Sequence, residues 1–299
     1  MDRLHLMTVF VAVGDEGSFA GAARRLGMSP PAVTRAIASL EARLGVKLLQ
    51  RTTRHVRVTD AGQRYLDDAR RIVAEVDEAD EAVAGINAAP RGQLTVTAPV
   101  LFGKLFVMPG IVAYLQRYPQ VTVSALFLDR VVNMLEEGVD VAVRIGPLPD
   151  SSMRAIKVGE VRRVLCASPG YLAAHGIPAQ PADLQAHTII AATNVSPSVE
   201  WKFEAADGAE AVRLQPRLLV TSNDSAIEAA RGGLGITRLL SYQVAGLVQS
   251  GELQLVLPAY ESAPLPIHIV HRESKYGAAR VRSFIDLLVE RLRADMHLA

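Results

Sequence analysis

Apolar positions near the amino end recur at intervals of three and four. Leu6, Phe10 and Val13 form such a stripe between Leu4 and Val13, and Gly14 and Gly17 interrupt it, which predicts a first helix. Ser18 is placed to cap a short second helix whose Phe19, Ala22, Ala23 and Leu26 share a face, with Gly27 as its stop. Ser29-Pro30 then combines an N-cap with a proline suited to a first helical turn, and Val33, Ile37, Leu40 and Leu44 carry the spacing on to Gly45. Two helices separated by the tight Gly27-Met28 turn make a helix-turn-helix. The basic stretch RTTRHVRVT after Leu48-Leu49 predicts a β-hairpin wing, and a new helix starts near Thr59.

From Tyr65 the positions Tyr65, Ala69, Ile72, Val76, Ala79, Val83 and Ile86 alternate in steps of four and three, a heptad seam. Asp and Glu crowd the remaining positions, so the narrow apolar stripe predicts a partner helix from a second subunit. The segment NAAPRG, residues 87–92, breaks this helix. The expected division is a winged helix-turn-helix head over 1–59, a linker and dimerisation helix over 60–91, and a larger domain over 92–299.

Beyond Gly92 the pattern changes. QLTVTAP, VTVSALFL and DVAVRI read as strands alternating with helical segments at Phe106 to Tyr118 and Val131 to Glu137, which predicts an α/β domain with a parallel sheet. A second set follows in VLCAS, TIIAAT, WKFEA, RLLVTSN, GIT and LQLVL, with helices at Pro169 to His175, Asp224 to Arg231 and 239–250. The strand PIHIVH and the helix from Ala278 to Arg293 have no neighbour in the second set and are expected to return to the first. Two lobes joined by two crossings result, lobe I at about 92–163 and 267–299 and lobe II at about 164–266, with a cleft between them.

Composition adds exclusions. With 49% hydrophobic and 21% charged residues the chain is too apolar for bulk disorder. The longest uncharged stretch, Val164 to Ala182, contains three prolines and His175, so no membrane span is expected. Residues 1–16 lack the pattern of a secretory signal, which makes the expected location the cytoplasm. A single cysteine, Cys166, closes no intrachain disulfide and reads as a buried thiol.

The net charge of +1 hides an asymmetry. Between Gly17 and Arg57 stand Arg24, Arg25, Arg35, Arg43, Lys47, Arg51, Arg54 and Arg57 against Glu41 alone, while residues 67–81 carry an acidic excess. A small basic module beside an acidic one is what a protein needs when only that module meets a polyanion. On the third helix the outward side carries Pro31, Arg35 and Ala38, with Thr34 on the flank. Such a face suits a major groove: little bulk, a hydroxyl, and an arginine able to bridge guanine O6 and N7.

The segment FVAVGDEGSFAGAARRLGMSPPAVTRAIASLEARLGVKLLQRTTRHVRVTDAGQRYL closely resembles the DNA-binding module of LysR-type transcriptional regulators, through a GSF–AA–L–S–V–R–I–LE–LG–LL–RT–T–G series. QLTVTAP, DVAVRIG, VLCASPGYL and GGLGI resemble that family's effector domain, and RTTR in the wing is similar to one large subgroup. The resemblance implies a fold class of α/β type: an N-terminal winged helix-turn-helix plus linker helix, then a two-lobed α/β effector domain similar to periplasmic solute-binding proteins. It implies double-stranded DNA, a small-molecule effector and a second copy of the chain, as homodimer or homotetramer, as partners, with no membrane. Carried over residue by residue, it places Ser29, Pro30, Pro31, Thr34 and Arg35 at the DNA edge of the recognition helix and Arg51 and Arg54 in the wing. Ser18 and Thr59 cap flanking helices and are within the same DNA-facing set. For the effector it points to Val100, Leu101, Phe102 and Gly103 after the first strand, Arg144, Ile145 and Gly146 at the end of the third, Thr193 and Asn194, and Ser222 and Asn223 before a helix. Val100 and Leu101 stand where relatives often have a hydroxyl, which favours a partly apolar carboxylate or phenolic compound over an inorganic anion.

Catalysis finds little support. There is no G-x-S-x-G elbow, and Cys166 has no His/Asp partner assignable from spacing. His268 and His271 lie three apart in a strand and face opposite sides, so no shared metal is expected. Gly232, Gly233 and Gly235 follow a helix and lack the third glycine of a dinucleotide fingerprint, so no cofactor is expected either. The competing reading is a solute-binding protein or ligand-sensing module without a transcriptional role, since residues 92–299 alone would fit one.

Overall fold

The computed structural model describes residues 2–51, 56–83, 89–149, 153–192, 199–205, 208–272, 278–295 and 298. The chain divides into two compact units: one comprises Met1–Ala89, with Asn133–Val139 and Ser274–Ala279, and the other comprises Pro90–Val132, Asp140–Glu273 and Arg280–Ala299.

The amino-terminal unit opens with α1 (Arg3–Glu16), α2 (Phe19–Leu26) and α3 (Pro30–Leu44). Helix α1 runs past the predicted stop at Gly14 to end at Gly17. The reason is tertiary: a Cβ on Gly14 would come within 2.9 Å of Leu66, so the glycine lets another helix approach instead of breaking its own. The tight turn after α2 uses Gly27 at φ 63°, a conformation that favours glycine, with the Met28 amide closing on the Ala23 carbonyl at 2.9 Å. Phe10, Val13, Val33, Ile37 and Leu40 are buried together, each contributing about 1.5–3 kcal/mol on leaving water.

Strands β1 (Leu49–Arg51) and β2 (Val56–Val58) pair antiparallel, Leu49 opposite Val58, and lead into α4 (Asp60–Val83). Leu66 and Ala69 of α4 are buried in the helical core, and Tyr65, Ile72 and Val73 pack partly against it. The start of the predicted heptad seam is therefore occupied by its own head; Ile86 lies outside the described residues.

The carboxy-terminal unit holds two five-stranded sheets. The first contains β3 (Gly92–Ala98), then α5 (Val100–Phe102), a π turn over Gly103–Val107 and α6 (Met108–Arg117), followed by β4 (Val121–Phe127), β5 (Val141–Ile145) and β6 (Met153–Val161). The second is built from β7 (Arg163–Ala167), α7 (Pro169–His175) and β8 (Ile189–Ala192). A hairpin of β9 (Val199–Ala205) and β10 (Gly208–Leu214) stands apart from both sheets. Then come β11 (Leu218–Val220), α8 (Asn223–Arg231), β12 (Ile236–Leu240), α9 (Ser241–Gln249) and β13 (Gln254–Val256). Strand β14 (Leu265–Arg272) and α10 (Ala279–Arg293) close the chain.

The strand orders are β4-β3-β5-β14-β6 and β11-β8-β12-β7-β13. Strand β14 does return to the first sheet, but antiparallel to β5 and β6, so this sheet is mixed and not wholly parallel. Strand β7 is likewise antiparallel to β12. The predicted helix at Val131 to Glu137 is instead a turn: the Asn133 side chain accepts from the amides of Leu135 and Glu136, and Gly138 follows at φ 61°. The stretch Val100–Arg117 has the length and apolarity of a membrane span, with mean hydropathy 1.2. Its Leu101, Phe102, Val107, Ile111 and Tyr114 instead pack with Phe284 and Leu288 of α10 in the lobe core.

Two crossings join the lobes, one at Arg162 and one between β13 and β14. The Ser241 amide donates to the Arg162 carbonyl at 2.8 Å, and the Arg162 guanidinium pairs with Glu261 at 2.7 Å, tying one crossing to the other.

Candidate functional site

In the head, local chemistry sets the exposed edge of α3. Ser29 caps it, its Oγ accepting from the Ala32 amide at 3.4 Å, and Pro30 occupies the first turn. The burial of Val33, Ile37 and Leu40 turns Pro31, Arg35 and Ala38 outward, with Thr34 half-buried beside them. Ser18 Oγ accepts from the Gly21 amide at 2.8 Å. The Thr59 hydroxyl donates to the Lys47 carbonyl at 2.8 Å and accepts from the Gly62 amide at 2.9 Å, so it is already engaged within the head. Arg51 ends β1 but its side chain, like all of Arg54, lies outside the described residues, and most of the RTTR stretch does as well.

The basic block is less uniformly free than counting suggests. Arg25 pairs with Asp15, which Arg70 of α4 also meets, and Lys47 pairs with Glu41 at 2.6 Å. Arg24, Arg35, Arg43 and Arg57 are exposed and carry no ion pair among the described residues. Glu41, buried on α3, also accepts from the amides of Leu48 at 3.0 Å and Leu49 at 3.2 Å, fastening the recognition helix to the first wing strand. Burial pushes its carboxyl up, but the Lys47 hydrogen bond, the two amides and the Lys47 charge together bring it below the ordinary value.

The carboxy-terminal unit carries a cleft of about 570 Å³ between its lobes. Its walls come from Pro99, Asp129, Ile145 and Leu265 on one side, and from Arg163, Trp201, Thr221, Asn223 and Arg238 on the other. The carboxyl ends of the parallel strands β8, β11 and β12 converge here, as expected where an open α/β sheet binds a ligand. Of the residues the sequence singled out, Ile145 and Asn223 line the cleft. Leu101 and Phe102 are buried in the lobe core, Gly103 lies against the Phe127 ring, and Val100 heads α5, where its amide donates to Asp129 at 3.0 Å. Arg144 donates to the Val132 carbonyl at 2.7 Å, Gly146 bonds to the Pro266 carbonyl at 2.8 Å, and Ser222 caps α8 through the Ser225 amide at 3.2 Å. Thr193 and Asn194 lie outside the described residues.

Sequence reasoning missed Arg238, Arg163, Trp201 and Tyr242. A basic residue inside the apolar run GITRLL and the chain's single tryptophan were the signals available. The Arg238 guanidinium carbon sits 5.0 Å above the Trp201 ring. Burial, and then the neighbouring Arg163 charge, pull it down to about 10, which still leaves it charged at neutral pH. Tyr242, 5% exposed at the start of α9, reaches across from lobe II to the lobe I rings of Phe102 and Phe106, at 5.3 and 5.7 Å and nearly edge-on. Its phenol is pushed upward by burial and stays neutral. Cys166 is buried in β7 and burial pushes its thiol up to about 12, which leaves it unreactive.

A winged helix-turn-helix head followed by a two-lobed, cleft-bearing domain defines a DNA-binding regulator that answers to a small ligand. The model of bacterial regulatory helix-turn-helix proteins of the lysR family matches residues 4–63, and that of the LysR substrate binding domain matches residues 87–293. The chain belongs to the LysR family of transcriptional regulators. It is similar to the transcriptional activator AaeR of Escherichia coli K12, with 33% identity over 97% of this chain and 94% of that protein. It is similar too to the probable regulator LtrA of Klebsiella pneumoniae, with 32% identity over 96% and 94%. Among solved structures, CrgA of Neisseria meningitidis matches with a TM-score of 0.63 and 32% identity over 96% of this chain and 98% of that one. The Vibrio cholerae virulence activator AphB, solved at full length, matches with 0.62 and 26% over 97% and 99%. The protein is thus a sequence-specific DNA-binding regulator whose DNA binding or activation responds to an effector bound between the two lobes.

Proposed function

We propose that this regulator acts in the cytoplasm as a dimeric or tetrameric repressor or activator, with no catalytic role. On this reading residues 1–59 grip the duplex, residues 60–91 pair subunits, and residues 92–299 sense a small carboxylate or phenolic compound. Arg35 reads a base edge while Ser29, Pro30, Pro31 and Thr34 set the helix against the groove. Arg51 and Arg54 of the wing follow the backbone or minor groove, and Ser18 and Thr59 hold the helix ends that flank the contact. Val100 to Gly103, Arg144 to Gly146, Thr193, Asn194, Ser222 and Asn223 form the effector neighbourhood.

Paired recognition helices would meet half-sites separated by about one helical turn or a multiple of it. Effector binding shifts that spacing through the linker helix, by no more than its differential affinity for the two arrangements, commonly about 1–3 kcal/mol.

The observation that supports the reading most is Arg35: exposed, without an ion pair among the described residues, on a helix face otherwise made of small side chains. The test is titration of operator DNA, recovered by genome-wide footprinting, against random duplex. Arg35→Ala is expected to weaken operator binding by about 1–3 kcal/mol and to blur sequence preference, whereas Arg54→Ala weakens all sequences alike and flattens the salt slope. Equal losses on operator and random DNA for Arg35→Ala would count against the assignment.

A further inference from the structure

We infer that the cleft selects a small organic monocarboxylate with an apolar body, its carboxylate held by the Arg238 guanidinium where that group stacks on Trp201. The inference rests on the effector-sensing reading above and names the ligand class for that cleft.

Arg238 is a charge that the fold leaves half-satisfied. Its guanidinium carries five N–H donors, yet its hydrogen bond is a long one, 3.5 Å from Nη1 to the Lys202 carbonyl, and no carboxylate pairs with it among the described residues. Trp201 covers one face of the group at 5.0 Å, and among the described residues the Lys202 carbonyl alone draws on its in-plane donors. A cation drawn partly out of water and given a π face in place of a counter-ion gains most from an anion that accepts two parallel N–H bonds, which is carboxylate geometry. Arg163, whose cross-strand neighbour is Leu240, adds a second positive charge to the same wall. Its charge also depresses the Arg238 value, so the two lie close enough to repel, and a bound anion relieves that repulsion.

The carboxylates of the cleft limit the ligand to one negative charge: Glu200, beside Trp201, lines the same wall as Arg238, and Asp129 lines the opposite one. Asp129 lines the cleft, and its carboxylate already accepts from the Val100 amide at 3.0 Å. That bond occupies the Val100 amide at the head of α5, and it holds a negative charge facing any second one on the ligand. Pro99, Ile145, Val199 and Leu265 supply the apolar surface for the ligand body. A cleft of about 570 Å³ falls within the usual range for small-molecule pockets.

The experiment is isothermal titration of the full-length protein with benzoate and hexanoate, with benzamide and hexanamide as neutral matches, and with phthalate and inorganic phosphate as more highly charged ones. Arg238→Gln, Arg238→Lys and Trp201→Leu are compared with the parent, each checked by circular dichroism and by retention of DNA. The expected result is that a monocarboxylate binds and its amide does not, that phthalate and phosphate bind at least tenfold more weakly, and that Arg238→Gln loses about 10- to 100-fold. Arg238→Lys keeps the charge but loses the fork, and recovers only part of the affinity. Equal binding of acid and amide, preference for the dianion, full affinity in a folded Arg238→Gln, or no binding by either monocarboxylate overturns the inference. Retention of DNA by the parent protein is scored separately: its failure removes the regulator reading, whereas the titration alone decides the ligand class.

Discussion

The head and the cleft assemble their surfaces from opposite kinds of information. The proposed DNA-facing set runs from Ser18 to Thr59 within one compact unit, and capping hydroxyls, a first-turn proline and apolar residues at helical spacing turn Arg35 outward. The cleft takes Pro99, Asp129, Arg163, Trp201, Arg238 and Leu265 from six elements or their ends, spread over most of the second unit. Local rules place a side chain on a helix face, because the face follows from a few neighbouring residues. Strand order places a side chain at a cleft, because the carboxyl ends of β8, β11 and β12 meet there only after the sheet is formed. A single local substitution should therefore silence the head, while the cleft should yield only to changes at contacts that join distant segments.

The largest expected effect breaks the head alone. A Cβ at Gly62 would lie 2.1 Å from the Leu48 carbonyl oxygen, in backbone that does not retract easily. Gly62→Ala should lose about 3 kcal/mol or more in urea unfolding of the head and abolish DNA retention, while titration of the cleft is unchanged. Unaltered DNA binding would show that the wing strand is free to shift.

Glu41→Ala comes next, with a loss of about 2 kcal/mol, because the amides of Leu48 and Leu49 lose their acceptor. The acid-side behaviour follows from the lowered carboxyl. Its contribution is complete above the ordinary value of 4.5 and disappears as pH falls through the lower folded value. The parent head should lose this stability on acidification below about pH 4.5, and Glu41→Gln should remove that part of the slope. Identical slopes in the two proteins would count against the carboxylate as the fastening between α3 and the wing.

The smallest effect sharpens the contrast from the other side. Tyr242→Leu removes two edge-on ring contacts that span the lobes and should cost about 1–2 kcal/mol in thermal unfolding of the carboxy-terminal unit, with DNA affinity preserved. Unchanged unfolding would mean that the lobes are braced elsewhere.

Much of the head was legible before any coordinates. Ser18, Gly27, Ser29, Pro30 and Gly45 act as caps and stops where their positions predicted. Gly14 was misread, because a glycine that admits Leu66 and one that ends a helix look alike along the chain. The role of Glu41 was also hidden, since the amides that donate to it lie seven and eight residues away, at the entry to a strand. In the second unit the strands β6 and β10 escaped notice. β6 owes its place to pairing with β14, more than a hundred residues on, and β10 to the hairpin with β9.

The spans and caps of α2 and α3, the outward direction of Arg35 and the charge contrast between head and linker were settled by residue order alone, since each depends on hydrogen bonds and side-chain spacing within about a turn or two. The mixed direction of both sheets, the seating of Leu66 and Ala69 against the head, and the meeting of Arg238, Arg163 and Trp201 at one cleft wall were decided by tertiary packing. Strand partnership and the loss of water around a charge depend on which remote segments come to lie beside it, and neither is encoded in the immediate neighbours of the residue concerned.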